Sequence, residues 1–255
     1  MKTVVITGAS KGFGFHLSKQ FAINDYNVVM NSRNLNSLQH AKKEILKVNN
    51  NANIICIPAD ISKINSSTLI VKKTKVAFGD IDYWINNAGT LVYKHDDFMK
   101  FNEDDIYKII NTNLTGTLLG MHSAIDTMSN QIGGGVIYNI TGCGSNGEII
   151  PGYSIYAASK FPIEYISNAI NKELSNTNVE VKLISPGLLY TDLYKANKNI
   201  ENTMVHHLCC NPEIVAEYTF KQIEQNQKAK IGYLSGVRFL GVIFKKIASF
   251  RVSFF

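Results

Sequence analysis

Short apolar runs alternate with longer stretches of helical periodicity along most of this chain, and this alternation constrains the fold more than any other feature. Six runs have the length and β-branched content of buried strands, at 2–7, 26–31, 53–58, 81–86, 134–140 and 179–185. Helices are predicted near 12–23, 34–48, 62–77, 102–129, 156–175 and 212–226. Strands that alternate with helices form βαβ units with right-handed crossovers. We therefore predict an α/β fold in one domain, with a doubly wound parallel sheet covered by helices on both faces.

A glycine-rich loop follows the first predicted strand and opens the first predicted helix. Residues 7–14 read T-G-A-S-K-G-F-G, a G-x-x-x-G-x-G spacing. Glycines let a backbone turn tightly beside a pyrophosphate, and a helix N-terminus offers free N–H groups and a positive dipole end. A glycine loop alone also fits a plain βα turn. Because the strand–loop–helix order is the one that a nucleotide site needs, we predict dinucleotide contacts from the loop residues Gly8, Ser10, Lys11, Gly12, Phe13 and Gly14.

A tyrosine and a lysine stand four residues apart in the predicted helix 156–175. On a helix, the side chains of Tyr156 and Lys160 share one face. A phenol has an ordinary pKa near 10 and exchanges protons poorly at neutral pH unless a cation favours its phenolate. An isolated Y-x-x-x-K more often marks an amphipathic helix with a surface lysine. Together with the glycine loop, the pair predicts acid–base chemistry.

The composition suits an intracellular globular protein. The chain has 45% hydrophobic and 18% charged residues, and its net charge of +6 comes from scattered basic residues, so we predict no nucleic-acid partner. The four cysteines lack a C-x-x-C spacing, which predicts no metal site and a reducing compartment. A strand begins by residue 3, and no run of about 18 apolar residues occurs, so we expect neither a signal peptide nor a spanning helix, and a cytoplasmic location.

Two further short motifs place Asn and Gly where they serve either a turn or a ligand. Asn87, Ala88 and Gly89 follow the fourth predicted strand, where small residues let the backbone approach a ligand, although Asn and Gly also form ordinary turns. Asn113 and Gly116 lie inside the long fourth predicted helix. Because both residue types are unfavourable in a helix interior, we predict a local break there that frees a backbone carbonyl.

The order of these motifs resembles that of the short-chain dehydrogenase/reductase family. T-G-x-x-x-G-x-G, N-N-A-G, N-L-x-G, Y-x-x-x-K and S-P-G follow one another between residue 2 and about residue 195. The resemblance implies a Rossmann-type sheet of about seven parallel strands, a nicotinamide cofactor, and hydride transfer at a carbonyl carbon. It also implies a homodimer or homotetramer that pairs through the helices near 102–129 and 156–175.

The resemblance also implies roles for individual residues. Tyr156 matches the general acid/base, and Lys160 matches the lysine that holds the nicotinamide ribose and lowers the pKa of the tyrosine. Asn113 matches the asparagine whose helix break positions a relay water. Asp60 matches the acid at the adenine amino group, and it also fits an N-cap of the predicted helix 62–77. The other implied cofactor contacts are Asn87 at the adenosine ribose, Thr191 at the nicotinamide carboxamide, and the neighbouring Ala88, Gly89, Pro186 and Gly187.

One catalytic position departs from the usual family pattern, in which a serine stands thirteen residues before the tyrosine. Here that residue is Cys143, and Ser145 stands eleven residues before Tyr156. The branch that contains the chlorophyll b reductases is similar in the stretches 139–147, 212–218 and 237–241. We predict that Ser145 polarises the carbonyl, with Thr141 as second choice and Cys143 as third, because a thiol is a weak hydrogen-bond donor.

Charge at the end of the second predicted strand indicates which nicotinamide cofactor is preferred. An NAD site needs a carboxylate there to bind the ribose hydroxyls, and that carboxylate would repel a 2′-phosphate. This chain has Ser32 at that position, followed by Arg33, and Lys11 lies in the glycine loop. Arginine can bind a phosphate through two hydrogen bonds. We therefore predict NADP(H), although Arg33 also fits an ordinary solvated loop.

The remaining predictions concern the substrate pocket and the C-terminal segment. We divide the chain into a catalytic domain, 1–230, with a substrate loop near 190–210, and an amphipathic segment, 231–255, that lacks the family's glycine-rich tail. Basic residues between apolar ones let this segment lie on a membrane surface, on the domain or on a partner subunit. A partly apolar substrate pocket is predicted from Leu91, Tyr93, Phe98, Tyr190, Tyr194, Met204 and Leu208, with His206 and His207 at its mouth or in a solvent-exposed loop.

Two functions fit these observations. The first is an NADPH-dependent reductase that transfers hydride to an aldehyde or ketone, with Tyr156 as proton donor. The second is a catalytically silent NADP(H)-binding regulatory protein, which the irregular serine position favours.

Overall fold

The fold is a seven-stranded parallel sheet with helices on both faces. The computed structural model describes residues 1–92, 98–149, 151–191, 209–226 and 228–234. The strands lie in the order β3-β2-β1-β4-β5-β6-β7 and every neighbouring pair is parallel. The strands are β1 Thr3–Thr7, β2 Asn27–Ser32, β3 Ile54–Pro58, β4 Tyr83–Asn86, β5 Gly135–Ile140, β6 Val179–Ser185 and β7 Lys230–Gly232. The predicted Rossmann-type, doubly wound fold is confirmed.

The helices fall close to the predicted stretches. The α-helices are α1 Gly12–Ile23, α2 Leu35–Leu46, α3 Ser66–Phe78, α4 Glu103–Ile110, α5 Gly116–Met128, α6 Ser154–Glu173 and α7 Pro212–Gln225. A π-helical segment, Asn111–Thr115, joins α4 to α5, and a short 3-10 helix spans Phe98–Lys100. Within the described residues, no helix is long and apolar enough to cross a bilayer.

Two hydrophobic cores lie on opposite faces of the sheet, because successive strand residues point to opposite sides. On one face, β1 residues Val4 and Ile6 pack with apolar residues of α1, α2 and α7. On the other face, Val5 and the fully buried Trp84 pack with residues of α3 and α5. Burial on both faces explains why the strands read as continuous apolar runs rather than as alternating ones.

Two elements differ from the sequence predictions. Helix α3 begins at Ser66 and not near residue 62, because the Asp60 carboxylate accepts hydrogen bonds from the backbone and hydroxyl of Ser62, which closes a separate turn. Strand β7 was not among the predicted strands, because three residues with one buried side chain, Ile231, give almost no pattern. The predicted domain boundary at residue 230 falls inside this strand. Residues 235–255 lie outside the described part of the chain.

Candidate active site

A cavity of about 950 Å³ lies at the carboxyl ends of the strands. Here β1 lies between β2 and β4, so successive crossovers leave in opposite directions and open a crevice. All sixteen residues predicted to contact a cofactor line this single cavity. They are Gly8, Ser10, Lys11, Gly12, Phe13, Gly14, Arg33, Asp60, Asn87, Ala88, Gly89, Tyr156, Lys160, Pro186, Gly187 and Thr191.

The glycine loop is pressed against the end of β4, and its glycines are required for that contact. A Cβ atom on Gly8 would lie 2.8 Å from the Cα of Ala88, and one on Gly14 would lie 2.4 Å from the Asn87 amide nitrogen. Gly8 also has a positive φ of 65°, which strains any residue with a side chain. The Asn87 side chain fixes the contact by donating to the backbone oxygen of Thr7 at 2.8 Å.

The loop and the start of α1 have the chemistry of an anion site. The N-cap residue of α1, Lys11, makes no side-chain cap hydrogen bond, and the first turn contains no acidic residue. Amide N–H groups of that turn therefore remain for a ligand, at the positive end of the helix dipole. These residues fit the pyrophosphate of a dinucleotide.

The end of β2 forms a polar wall without a carboxylate on that strand. Ser32 and Arg33 line the cavity, and residues of the first turns of α2 continue the wall. Asn34 caps α2, because its side-chain oxygen accepts a hydrogen bond from the Ser37 backbone at 2.9 Å. Sequence reasoning missed Ser37 and His40, which stand three residues apart on one face of α2, and this spacing was the available signal. Asp60 lines the cavity and forms the turn with Ser62, not the predicted N-cap of α3.

Tyr156 and Lys160 lie one helical turn apart at the start of α6, and both line the cavity. The Lys160 amine is buried and donates to the backbone oxygen of Ile140 at 3.0 Å. A Cβ atom on Gly142 would lie 2.6 Å from the Tyr156 hydroxyl, so a residue with a side chain at position 142 would collide with the phenol. The predicted acid–base pair therefore shares the cavity with the glycine loop.

Burial acts on both ionisable groups of this pair. It raises the pKa of Tyr156, and the nearby thiol of Cys143 and phenol of Tyr153 raise it further. It lowers the pKa of Lys160 to about 8. The family resemblance implies that Lys160 lowers the tyrosine pKa. In this structure loss of hydration dominates instead, because it penalises the charged form of each group.

Asn113 lies in the π-helical segment, so the predicted helix break is present. The Gly116 backbone N–H bonds to the oxygen of Asn111, five residues back, which is the π-helical pattern. The sequence predicts a freed backbone carbonyl in this stretch, and the Asn113 carbonyl accepts a hydrogen bond from the Thr117 hydroxyl at 2.8 Å. The Asn113 side chain is fully buried and holds both backbone groups of Thr90.

The three candidates for the carbonyl-polarising group occupy different places. Cys143 and Thr141 line the cavity, whereas Ser145 is not among the lining residues. The Ser145 hydroxyl oxygen accepts a hydrogen bond from the Gly142 backbone at 2.9 Å and so closes the turn that follows β5. The Thr141 hydroxyl donates to the backbone oxygen of Ile184 at 3.2 Å. Burial raises the pKa of Cys143, so this thiol stays protonated.

The predicted substrate residues are only partly described. Leu91 lines the cavity, whereas Phe98 and Tyr190 are exposed and do not. The structure adds Tyr153, which sequence reasoning missed, to the wall. Six further predicted residues fall outside the described residues: Tyr93, Tyr194, Met204, His206, His207 and Leu208.

A doubly wound sheet with a nucleotide-shaped crevice and an acid–base pair in its wall defines a nucleotide-dependent oxidoreductase of the Rossmann type. The chain belongs to the short-chain dehydrogenase/reductase family, since the family model described as short chain dehydrogenase matches residues 2–202. This family acts on carbonyl and CH–OH groups.

The relatives include the predicted branch. The chain is 33% identical to the probable chlorophyll(ide) b reductase NYC1 of Arabidopsis thaliana over 84% of this chain, and spans 46% of that relative's length. It is 30% identical to the chlorophyll(ide) b reductase NOL of Oryza sativa subsp. japonica, over 96% of this chain and 75% of the relative. Both relatives are named as chloroplastic, whereas the composition of this chain predicts a cytoplasmic location.

Solved structures share the fold and differ in cofactor. A short chain dehydrogenase of Burkholderia cenocepacia in complex with NADP has a TM-score of 0.80 at 21% identity, over 91% of this chain and 95% of that one. A short chain dehydrogenase/reductase of Burkholderia phymatum in complex with NAD has the same TM-score at 19% identity, over 91% and 88%. The likeness therefore shows the shared fold, in one neighbour with NADP bound and in the other with NAD.

Proposed function

We propose that this chain catalyses the NADPH-dependent reduction of an aldehyde or ketone to an alcohol, with Tyr156 as proton donor. The observation that carries the proposal is that Tyr156 and Lys160 line the same cavity as the glycine loop and Arg33. Bound NADPH would supply the hydride that reaches the carbonyl carbon. Burial keeps the Tyr156 phenol protonated, so it can donate its proton to the carbonyl oxygen. With a pKa of about 8, Lys160 is mostly charged at neutral pH and can hold the nicotinamide ribose and stabilise the phenolate that forms.

NADPH oxidation in the presence of aldehydes and ketones tests this proposal. The panel should include chlorophyllide b, because relatives named as chlorophyll(ide) b reductases suggest a formyl group on a large, partly apolar ring. We expect Tyr156→Phe to lower kcat at least 100-fold without changing NADPH affinity, because general acid catalysis contributes about 10²–10⁴-fold. Full activity in Tyr156→Phe would refute the proposal. Binding of NADPH with no turnover of any carbonyl would favour the silent regulatory protein.

The silent alternative is favoured by one observation at the carbonyl-polarising position. Cys143 in the cavity wall is a weak donor, and Ser145 is held in a turn. We retain Ser145 as the proposed hydroxyl, with Thr141 and Cys143 as the alternatives in the wall. Ser145→Ala, Thr141→Val and Cys143→Ala should be made separately and their kcat values compared. The substitution that lowers kcat most identifies the side chain that polarises the carbonyl.

The preference for NADPH over NADH is proposed from the charge near β2. Arg33 lies in the cavity wall, the strand ends in Ser32, and no carboxylate stands on β2 to repel a 2′-phosphate. We expect Arg33→Ala to weaken NADPH binding about 10- to 100-fold while NADH binding changes less than threefold, because a charge-assisted hydrogen bond contributes about 1.5–3 kcal/mol. Dissociation constants measured by cofactor fluorescence check this. Equal losses for both cofactors would show that Arg33 does not contact the phosphate.

Two proposals concern association. We propose a homodimer or homotetramer. The exposed Tyr107 of α4 and the exposed Phe161 and Tyr165 of α6 support it. Light scattering of the wild type and of Tyr165→Glu would test the assembly.

We also propose membrane contact through the basic amphipathic pattern, which lies in residues beyond 234. Flotation of the full chain and of a 1–234 chain with anionic liposomes tests this contact. Equal flotation would end the membrane proposal.

A further inference from the structure

The helix turn that carries Tyr156 lacks several of the local interactions that usually stabilise the start of a helix. The N-cap residue of α6, Tyr153, makes no side-chain cap hydrogen bond, and the first turn contains no acidic residue. Pro162 lies inside the helix and has no N–H to donate to the oxygen of Ala158. The first two turns therefore lack two common sources of helix stability, although they carry both proposed catalytic side chains.

Ser159 supplies a tether at this point. Its side chain is fully buried. Its hydroxyl donates to the backbone oxygen of Tyr156 at 2.6 Å and accepts from the Asn113 amide nitrogen at 2.9 Å. The same amide nitrogen donates to the backbone oxygen of Thr90 at 2.9 Å, and the amide oxygen accepts from the Thr90 backbone nitrogen at 2.8 Å. Both N–H groups of the Asn113 amide are thus used, and they join the loop after β4 to the start of α6.

We propose that Ser159 is a positioning residue through which Asn113 holds the Tyr156 turn in place. The inference rests on the proposed function, in which Tyr156 donates a proton. Asn113 then acts on the tyrosine through a chain of two hydrogen bonds, and not by contact of its amide with the ligand. Loss of the Ser159 hydroxyl leaves a buried amide N–H of Asn113 without its acceptor, which loosens both ends of the tether.

The same helix contains a matched control. Ser167 is as fully buried as Ser159 and makes the same two kinds of hydrogen bond, one to a preceding backbone oxygen of α6 and one from an asparagine amide. Its hydroxyl donates to the backbone oxygen of Ile163 at 2.7 Å and accepts from the Asn139 amide nitrogen at 2.9 Å. It lies two turns further along α6 and does not line the cavity. A general loss of α6 stability should therefore appear equally in Ser159→Ala and Ser167→Ala.

The experiment compares these two variants in the full chain. With a carbonyl that the wild type reduces, we expect Ser159→Ala to lower kcat at least tenfold with KM for NADPH changed less than threefold, and Ser167→Ala to keep kcat within threefold at a similar loss of thermal stability. Amide hydrogen exchange gives a readout without turnover: residues 154–160 should exchange at least tenfold faster in Ser159→Ala and unchanged in Ser167→Ala. Ser159→Cys, which replaces the hydroxyl by a slightly larger thiol that hydrogen-bonds more weakly, should lie between wild type and Ser159→Ala.

The outcomes separate this inference from the proposed function. Equal kcat and equal exchange in the two alanine variants would overturn the positioning role. Full activity in Tyr156→Phe would overturn the proposed function, and the exchange rates would still decide whether Ser159 holds the turn.

Discussion

At the residue scale, burial has a direct energetic cost at Lys160. Its amine bonds to a backbone carbonyl, and loss of hydration lowers its pKa from 10.5 to about 8. In the folded protein the charged form is therefore disfavoured relative to the unfolded chain. Below pH 8 this is a full cost to stability, the cost declines between pH 8 and 10.5, and it vanishes above 10.5 as the lysine becomes neutral in the unfolded state too. An apolar side chain at this position would avoid the cost. A lysine that lowers stability in this way is typical of a functional site.

Lys160→Met should accordingly lose activity and gain stability. A lowering from 10.5 to about 8 corresponds to roughly 3 kcal/mol at neutral pH. We expect the melting temperature of Lys160→Met to exceed that of the wild type by several degrees at pH 7, with the gain shrinking toward pH 10. Calorimetry across this pH range measures it.

Lys182 provides the control for this prediction, because it is buried but has charged and polar partners. Its amine lies 2.8 Å from the Glu180 carboxylate and 2.8 Å from the Asn226 side-chain oxygen. Lys182→Met should lower the melting temperature, since it leaves these partners without a donor. A fall in both variants would contradict the account given for Lys160.

The sequence predicted residue positions well where a local spacing carries the chemistry. The glycine loop, the Asn87–Gly89 turn and the Tyr156–Lys160 pair all depend on neighbours within one turn or one loop. The Ser145 hydroxyl could not be placed in this way. Its direction depends on the turn after β5, in which Gly144 and Gly147 have φ values of 81° and 84°. Ser159 was missed because its tether joins residues 46 positions apart in the sequence.

At the element scale, α5 approaches the sheet more closely than its amphipathic pattern indicates. Gly120 faces the end of β4, where the Asn86 side-chain oxygen accepts a hydrogen bond from the indole of Trp84 at 2.7 Å. The Asn86 amide nitrogen in turn donates to the Asn139 side chain at 2.9 Å. These buried bonds join β4 to β5 near the carboxyl ends of the two strands. Sequence reasoning predicted the helix and its break but gave no signal for this contact, which needs the packed sheet.

Gly120→Ala should therefore be strongly destabilising, because the added methyl group would clash with buried side chains although alanine favours the helix. The added Cβ would lie 2.2 Å from the Asn86 oxygen and 3.1 Å from the Trp84 indole nitrogen. Overpacking of this kind costs about 1–3 kcal/mol, against a gain of up to about 1 kcal/mol from the better helix former. Urea unfolding measures the difference. In Gly133→Ala, where a Cβ would meet nothing within 4 Å, the free energy of unfolding should change by less than about 0.5 kcal/mol. Equal effects would exclude the close contact as the cause.

At the scale of the whole molecule, the last described strand supports the wall of the cofactor cavity. Ile231 of β7 is buried in the core that also contains α1 and α7. The Tyr233 backbone nitrogen bonds to the Ser185 oxygen at 3.1 Å, which continues the pairing of β7 with β6. Leu234 packs against Gly187, where a Cβ would lie 2.7 Å from the leucine side chain. The segment 230–234 thus fixes the loop from which Pro186 and Gly187 line the cavity.

Truncation on either side of this segment should have different consequences. A chain that ends at Leu234 keeps β7 and the contact with Gly187, whereas a chain that ends at residue 229 loses both. Burial of Ile231 alone contributes about 1.5–3 kcal/mol. We therefore expect the shorter chain to melt several degrees below the 1–234 chain and to bind NADPH at least tenfold more weakly, because the loop that carries Pro186 and Gly187 loses its support. Calorimetry measures the melting temperature, and cofactor fluorescence measures NADPH binding.

Replacement of Leu234 by alanine in the 1–234 chain isolates the effect on NADPH binding, since it keeps strand β7 and removes only the contact with Gly187. If this variant bound NADPH as tightly as its parent, the connection between the sheet edge and the cavity wall would be wrong, and the weaker binding of the shorter chain would reflect unfolding alone.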